Sequence, residues 1–397
     1  MPQLIENIQK LASEVYPKVV SIRRKIHSNP ELAFEEVQTA ATVAENLKEL
    51  NIPYQENIAK TGVVALIKGT QEVPTLALRA DMDALPIHEQ NQIDYCSKNQ
   101  GKMHACGHDA HTASLIGTAH ILNQLKDQIK GTIKLIFQPS EEKFPGGASV
   151  MIKEGVLQNP TVQSIIGQHV MPLLPIGKIG IRPGKYMAST DEIYLTIKGK
   201  GGHGAIPHAT IDPVAITAQL ITTLQQVVSR IADPRIPSVL TFGKVIANGA
   251  TNIIPDSVYL EGTFRTFDEK WRAQAHKHIR QIVENITTAF GATADLTILV
   301  GYPVLHNDEK LTAKTRNFIE QYVGKENVIE LDLWTAAEDF AYYAQEIPAC
   351  FYRLGTRNEA LGITHGLHTP KFNIDETALQ TSTGLMAYTA IQLINQQ

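Results

Sequence analysis

The segment Met103-His104-Ala105-Cys106-Gly107-His108-Asp109-Ala110-His111 holds the residue types that most directly suggest chemistry. Cys106 and His108 stand two apart in a turn of small residues, so both can face one ion. Thiolate and imidazole are good ligands for zinc and similar divalent metals. The plain alternative is a buried cysteine beside the start of a histidine-rich helix. Three further clusters weigh against it. The apolar run Thr75–Ala80 leads into Asp81-Met82-Asp83, Thr132–Gln138 into Pro139-Ser140-Glu141-Glu142, and Ser164–Gly167 into Gln168-His169. Each reads as a strand with acids or a histidine at its C-terminal end, where open α/β sheets bind their ligands. One Asp-x-Asp or Glu-Glu alone would read as a solvated turn. Converging on one sheet edge, the groups read as a metal site.

Two adjacent carboxylates in a partly buried cleft, such as Glu141 and Glu142, raise each other's pKa unless something neutralises one. A metal bound to one would do so and leave the other to handle protons. The free carboxylate could take a proton from a metal-acidified water and pass it to a leaving amine, as amide hydrolysis requires. Other readings are weaker. Ser140 has no Gly-x-Ser-x-Gly setting, so a serine nucleophile is not expected. Cys106 as a nucleophile facing His108 would leave the acid pair and the distant histidines without a task. Gly199-Lys200-Gly201-Gly202-His203-Gly204 fits G-x-G-x-x-G, but Pro207 and Pro213 come before any helix. About twenty residues on, where a dinucleotide site needs an acid, the sequence reads TTLQQ. Its glycines suit a tight turn around His203 instead. Cys96 and Cys350 are expected to be structural.

Positioning these groups requires strands alternating with helices. Residues 3–28 and 36–50 read as amphipathic helices, split by a turn at Asn29-Pro30-Glu31. Gly62–Ile67, Thr75–Ala80, Thr132–Gln138 and Ser164–His169 read as strands, with helical patterns at Ala110–Leu125 and Gly147–Glu154. This order predicts an α/β domain with a mostly parallel sheet. After Pro183-Gly184 the pattern changes, and Asp191–Lys198 alternates with period two. A helix near 212–231, strands at 238–247 and 257–267, a helix at 268–290 and a strand at 294–300 follow. That β-α-β-β-α-β order is the ferredoxin-like split unit, so a small α+β domain is expected inside the larger one. The expected segments are 1–186 and 301–397 for the catalytic domain, ending in a helix at Glu376–Asn395, and 187–300 for the insert.

The chain's 397 residues suit two domains, and 43% hydrophobic with 19% charged residues is ordinary globular composition. A net charge of −4 and the lack of a basic cluster give no reason to expect a nucleic-acid partner. No stretch approaches the roughly 18 apolar residues that span a bilayer. The opening MPQLIENIQKLASEVYPKVV lacks the basic start and apolar run of a signal peptide. Three cysteines make no disulfide framework. The expectation is a soluble protein of a reducing cytoplasm, without a membrane partner.

Several segments together resemble the aminoacylase/carboxypeptidase metallopeptidase family. They are RADMDALP (Arg79–Pro86), MHACGHDAHT (Met103–Thr112), FQPSEE (Phe137–Glu142), GKGGHGAIPH (Gly199–His208), NIIPD (Asn252–Asp256) and GTFRT (Gly262–Thr266). Glu338-Asp339-Phe340 and Leu367-His368-Thr369-Pro370 extend the likeness almost to the C-terminus. The Cys-Gly-His-Asp motif resembles the subfamily of auxin-conjugate hydrolases, hippurate hydrolases and N-acyl-amino-acid amidohydrolases. The resemblance implies two divalent metal ions per subunit, zinc or manganese before cobalt or nickel. Their ligands would be Cys106, His108, Glu142, His169 and His368, with Cys106 bridging. Locally, His365 would pass the same test as His368.

The resemblance further implies Glu141 as general acid/base and Asp83 as the acid that orients a ligand histidine. Asp81 stands where related subfamilies carry a ligand histidine, and His104 and His111 are expected behind the ligands. In the inserted domain, the family's lid, His203 matches an oxyanion-stabilising histidine that often reaches a partner subunit. Asn252 and Arg265 match groups that hold the substrate carboxylate. The implied reaction splits an N-acyl amino acid into a carboxylate and a free amino acid by attack of metal-bound hydroxide. The implied assembly is a homodimer or higher homo-oligomer through the lid. The same chemistry would serve a dipeptidase or a deacetylase of N-acetyl-diaminopimelate type. A non-catalytic binding protein of this fold would be expected to have lost part of the site, yet every matched position is filled.

Overall fold

The computed structural model describes residues 2–396, which form two compact units. The first takes the chain up to Gly184, then His306–Asp332 and the described residues from Asp339 onward. The second takes Lys185–Leu305 and Leu333–Glu338. It therefore runs past residue 300 and takes back a short later segment.

Eight strands build the first unit's sheet. Their order is Tyr54–Ile58, Gly62–Lys68, Thr132–Gln138, Thr75–Asp81, Ser164–Pro175, Ala349–Arg357, Ile179–Ile181 and Val328–Glu330. The central strands, from Thr132–Gln138 to Ala349–Arg357, run parallel, and antiparallel strands join them on both sides. Thr75–Asp81 and Thr132–Gln138 are buried along their whole length, as strands covered on both faces must be. The helices Pro2–His27, His108–Gln124 and Ala378–Ile394 pack on one another, and the latter two also pack on the sheet. His108–Gln124 can be buried on nearly every side because Ala110, Ala113, Ser114 and Gly117 are small. At Gly117 a Cβ would lie 2.5 Å from Val19 Cγ2 and 2.8 Å from Thr383 Cγ2, so glycine lets three helices meet closely.

A buried ionic network pins the start of that helix. Arg23 Nε donates to Asp109 Oδ2 at 2.9 Å, His27 Nδ1 lies 2.8 Å from the same oxygen, and His27 Nε2 lies 3.1 Å from Glu89 Oε1. Burial opposes a charge on Asp109, but Arg23 and His27 hold its carboxyl far below its ordinary value. Breaking a buried pair of this kind typically costs about 3–5 kcal/mol. The carboxylate also sits in the helix's first turn, where the helix dipole favours it.

The second unit's main sheet is antiparallel, in the order Ser238–Ile246, Ser257–Thr266, Ser189–Lys198, Thr293–Val300. Helices Pro213–Gln226 and Glu269–Ala289 pack on it in a β-α-β-β-α-β chain order. Ile193, Leu195 and Ile197 turn inward to Leu220, Leu260, Phe264 and Ile279, while Tyr194 and Thr196 between them stay half-buried. Among the described residues, no helix is long and apolar enough to cross a membrane.

Candidate metal centre

Parallel pairing sets out the first acids. Thr75–Asp81 and Thr132–Gln138 are in register from Thr75↔Thr132 to Asp81↔Gln138, so the strands end level. Asp83 and the Glu141-Glu142 pair then follow from adjacent strand ends. His169 is placed differently from the expectation, because its strand continues to Pro175. Pairing with Thr75–Asp81 stops at Arg79↔Gly167, whereas pairing with Ala349–Arg357 carries on. On the edge so freed, the Val170 N–H donates to His111 Nε2 at 2.9 Å.

Gly107 makes the turn between Cys106 and His108. Its φ is +87°, and a Cβ there would lie 2.4 Å from Val170 Cγ2. Only glycine tolerates both conditions. Gly107→Ala is therefore expected to splay the two donors and weaken metal binding about 10- to 100-fold, the usual effect of disturbing a ligand's support. Chelator competition would measure this, and unchanged affinity would rule out the turn as a determinant.

Cys106 Sγ lies 3.3 Å from His169 Nε2 and 3.3 Å from His368 Nε2. Glu142 Oε1 is 3.2 Å from His368 Nε2 and 4.0 Å from His108 Nε2. The donor atoms of Cys106, His108 and His169 lie within 4.8 Å of one another, as do those of Cys106, Glu142 and His368. Two triads thus share one thiol. Ligands about 2.0–2.3 Å from a tetrahedral zinc sit roughly 3.3–3.7 Å apart, so the closest spacings suit an ion. Two orphaned atoms point the same way. His108 Nε2 and Glu142 Oε1 are buried without a hydrogen bond, the close approach of His368 to Glu142 being misaligned for one. Buried polar atoms normally have partners, and a cation would supply one to both. The mixture of sulfur, nitrogen and oxygen donors fits a zinc-like divalent metal.

A layer of hydrogen bonds aims these donors. Asp83 Oδ1 lies 3.2 Å from His108 Nδ1, which leaves Nε2 free for a ligand role. The same carboxylate accepts the Glu141 and Glu142 N–H groups, both at 2.9 Å. His169 Nδ1 donates to the Val170 carbonyl at 2.7 Å, freeing Nε2. His111 Nδ1 bonds Asp81 Oδ1 at 2.6 Å, and Arg79 bonds Asp81 Oδ2 at 2.6 Å. Arg79 also donates to Gln138 and Asp339. Although Asp81, His108 and His111 could also hold an ion, these bonds occupy Asp81 and His111 behind the triads. His104 is buried with both ring nitrogens unpartnered among the described residues, 6.3 Å from the His27 ring. It belongs to neither triad.

The electrostatics call for a cation. Burial, then Glu142, Glu141 and Asp81, push the Cys106 thiol well above its ordinary value. Burial would lower His108, but Asp81, Asp83 and Glu142 push it up to about 10. Burial would raise Asp81, yet His108, His111 and Arg79 hold it well below its ordinary value. Burial, with Arg353 and His111, pushes His169 well below its ordinary value, so its imidazole is neutral and ready to ligate. Glu141 is nearly buried, and its Oε1 accepts the Asp339 N–H at 3.3 Å.

His368, rather than His365, approaches Cys106 and Glu142, although both histidines are exposed. Its N–H donates to the Ala105 carbonyl at 2.8 Å, and its φ is +60°. Sequence reasoning assigned no role to Arg79, Gln138 or Asp339; a buried arginine inside an apolar strand was the available signal. In the second unit, His203 pairs with Ile253, and Gly204 N–H donates to the Asn252 carbonyl at 2.8 Å, so His203 and Asn252 are neighbours. Arg265 stands on the main sheet, half-buried, with Nε 3.2 Å from Thr263 Oγ1. After the glycine-rich stretch, an α-helix starts only at Pro213.

Comparison with known proteins agrees with this architecture. Residues 77–392 match the family model described as Peptidase family M20/M25/M40. An N-acyl-L-amino acid amidohydrolase of Geobacillus stearothermophilus is 47% identical over 305 residues, 77% of this chain and 82% of that protein. An N-acetyl-L-cysteine deacetylase of Bacillus subtilis (strain 168) is 41% identical over 383 residues, 96% of this chain and 90% of that protein. A crystal structure of a Bacillus subtilis dinuclear metal-binding peptidase from the M20 family superposes with a TM-score of 0.83 at 36% identity, covering 96% of this chain and 99% of that one. On this combined match of sequence, fold and extent, the chain belongs to peptidase family M20/M25/M40.

Proposed function

We propose that this protein hydrolyses the amide bond of N-acyl amino acids, with two divalent ions held by Cys106, His108, Glu142, His169 and His368. The observation that carries the reading is the pair of triads sharing Cys106 beside the Glu141 carboxylate. Cys106, common to both triads, would help hold the ions, and zinc or manganese suits the mixed donors. When bound, such metals acidify a water towards neutrality and polarise a carbonyl.

The chain's own groups do the rest. Glu141 takes the proton of the attacking water and returns it to the amide nitrogen as the C–N bond breaks. Asp83 keeps the His108 tautomer and, through two backbone N–H groups, the carboxylate turn in place. His203 is assigned to the oxyanion, and Asn252 and Arg265 to the substrate carboxylate, where a planar guanidinium can bind both oxygens. These three assignments are supported by their motif positions. The substrate class is supported by the amidohydrolase and deacetylase relatives.

A panel of N-acetyl, N-benzoyl and longer N-acyl amino acids, N-acetylcysteine among them, should be assayed beside unblocked dipeptides. The expected result is cleavage of the N-acyl series, with kcat/KM at least about tenfold lower when the amino-acid carboxylate is methylated, as for loss of a charge-assisted contact. Dipeptides turned over faster than every acyl substrate would move the reading to a dipeptidase. No cleavage of any N-acyl amino acid by metal-replete protein would sink it.

A further inference from the structure

We propose that Glu36 is a positioning residue that holds the turn bearing Glu141 and Glu142, through the backbone amide of Ser140. The role in turnover rests on the function proposed above; the role in shaping the metal centre does not.

Glu36 is fully buried and occupies the N-cap position of the helix Val37–Glu49. A carboxylate there would ordinarily accept amides of its own helix. Its side chain makes no such bond. Glu31 does that work, accepting the Gln38 and Thr39 N–H groups at 3.0 and 2.9 Å. Glu36 is thereby released for other partners. Its Oε1 accepts the Ser140 N–H at 2.8 Å and the Phe34 N–H at 3.0 Å, and its Oε2 accepts the Thr61 hydroxyl at 2.6 Å.

Ser140 is the residue where such an anchor matters. Its φ is +52°, a left-handed conformation that non-glycine residues seldom adopt, and it directly precedes Glu141. The next two amides are held by Asp83. Three consecutive N–H groups, of Ser140, Glu141 and Glu142, therefore end on two carboxylates from different parts of the chain. Asp83 also faces His108, so it ties the turn to the metal site. Glu36 holds the turn's entry through the Ser140 N–H, while the Ser140 carbonyl accepts the Gly147 N–H at 2.7 Å and its hydroxyl lies 3.2 Å from the Lys143 carbonyl oxygen. Strain of this kind persists only where surrounding contacts impose it. If Ser140 relaxed to negative φ, the peptide leading into Glu141 would rotate and both carboxylates would shift.

The contacts also specify a conservative replacement. Burial, then the nearby Asp83, push the Glu36 carboxyl up to about 7, and no cation is among its hydrogen-bond partners. A glutamine offers the same acceptor oxygen to Ser140 and Phe34, and its amide can donate to the Thr61 oxygen.

The test uses the full chain as wild type, Glu36→Ala, Glu36→Gln and the double variant Glu36→Ala/Ser140→Gly. Cobalt(II) affinity would be measured by chelator competition, together with the cobalt–thiolate absorption band and kcat and KM on an N-acetyl amino acid. Glu36→Ala is expected to lose about 10- to 100-fold in cobalt affinity and a similar factor in kcat, with KM nearly unchanged. Glu36→Gln should stay close to wild type. Adding Ser140→Gly should restore much of the loss, because glycine adopts positive φ without an anchor. Wild-type affinity and kcat in Glu36→Ala would overturn the proposal. So would a Glu36→Ala defect that neither Gln at 36 nor Gly at 140 relieves, since that describes general damage to folding. If wild type cleaves no N-acyl amino acid while Glu36→Ala still loosens cobalt, the function reading fails and this one stands.

Discussion

Glu141→Gln is expected to lower kcat about 10²- to 10⁴-fold, the usual contribution of a positioned general acid–base. The side chain is nearly buried, and glutamine matches its shape. The glutamine oxygen can still accept the Asp339 N–H that Glu141 Oε1 accepts at 3.3 Å. What is lost is the ability to take up a proton. The backbone bond from residue 141 to Asp83 survives, so the neighbouring Glu142 should keep its place and its metal. Elemental analysis should therefore find wild-type metal content in Glu141→Gln and a deficit in Glu142→Gln, although the two carboxylates are adjacent. Glu141→Gln with full metal and more than about a tenth of wild-type kcat would move the proton transfer to another group.

The parts of this site legible in the sequence are those fixed by local geometry. Cys106-Gly107-His108 could be read because a glycine between two donors forces a turn, and the structure adds the reason that glycine is needed: Val170 leaves no room for a Cβ. The acids at Asp81, Asp83, Glu141 and Glu142 could be read because parallel neighbours in register end level. His169 was placed at its strand's end, whereas it lies inside a longer strand whose neighbour stops first, a difference that only the pairing reveals. Local pattern alone could not separate His368 from His365, and the choice rested on the family resemblance, because its position depends on a backbone bond to Ala105, far away in sequence. Glu36 was illegible for a related reason. As the first residue of the expected helix 36–50 it carries no local signal, and only the contact with Ser140, across 104 positions, reveals a role. The strand Ala349–Arg357 was not picked out, since Arg353 and Gly355 interrupt its apolar run, although both are accommodated within the sheet.

Removing the metal should abolish hydrolysis and lower thermal stability, and the pH dependence of reloading gives the sharper test. Without a cation, His108 Nε2 and Glu142 Oε1 stay buried and unpaired beside Glu141 and Asp81. An ion that binds only the folded chain adds about 2.7 kcal/mol of stability when its free concentration is 100 times Kd. Melting temperature should therefore fall with chelator and recover with zinc, manganese or cobalt. Protons compete with this binding. Cys106 ligates as thiolate, but burial and the nearby carboxylates push its pKa well up, so at neutral pH the metal must displace a proton. His108, at about 10, must give up a second. His169 adds nothing, because its imidazole is already neutral. Below both raised pKa values, affinity should climb with pH, with these two protons alone contributing about two to the rise of log K per pH unit between roughly pH 6 and 8. The gain is lost as pH falls, because a thiol is a far weaker ligand than a thiolate and a protonated ring nitrogen has no lone pair to offer. Cys106→Ala should weaken binding and lower the slope by about one, since one of the two displaced protons goes with the thiol. Chelator competition across that range, with proton release measured in weak buffer, reads both quantities. A flat profile in wild type, or a slope untouched by Cys106→Ala, would remove the thiolate from the metal centre.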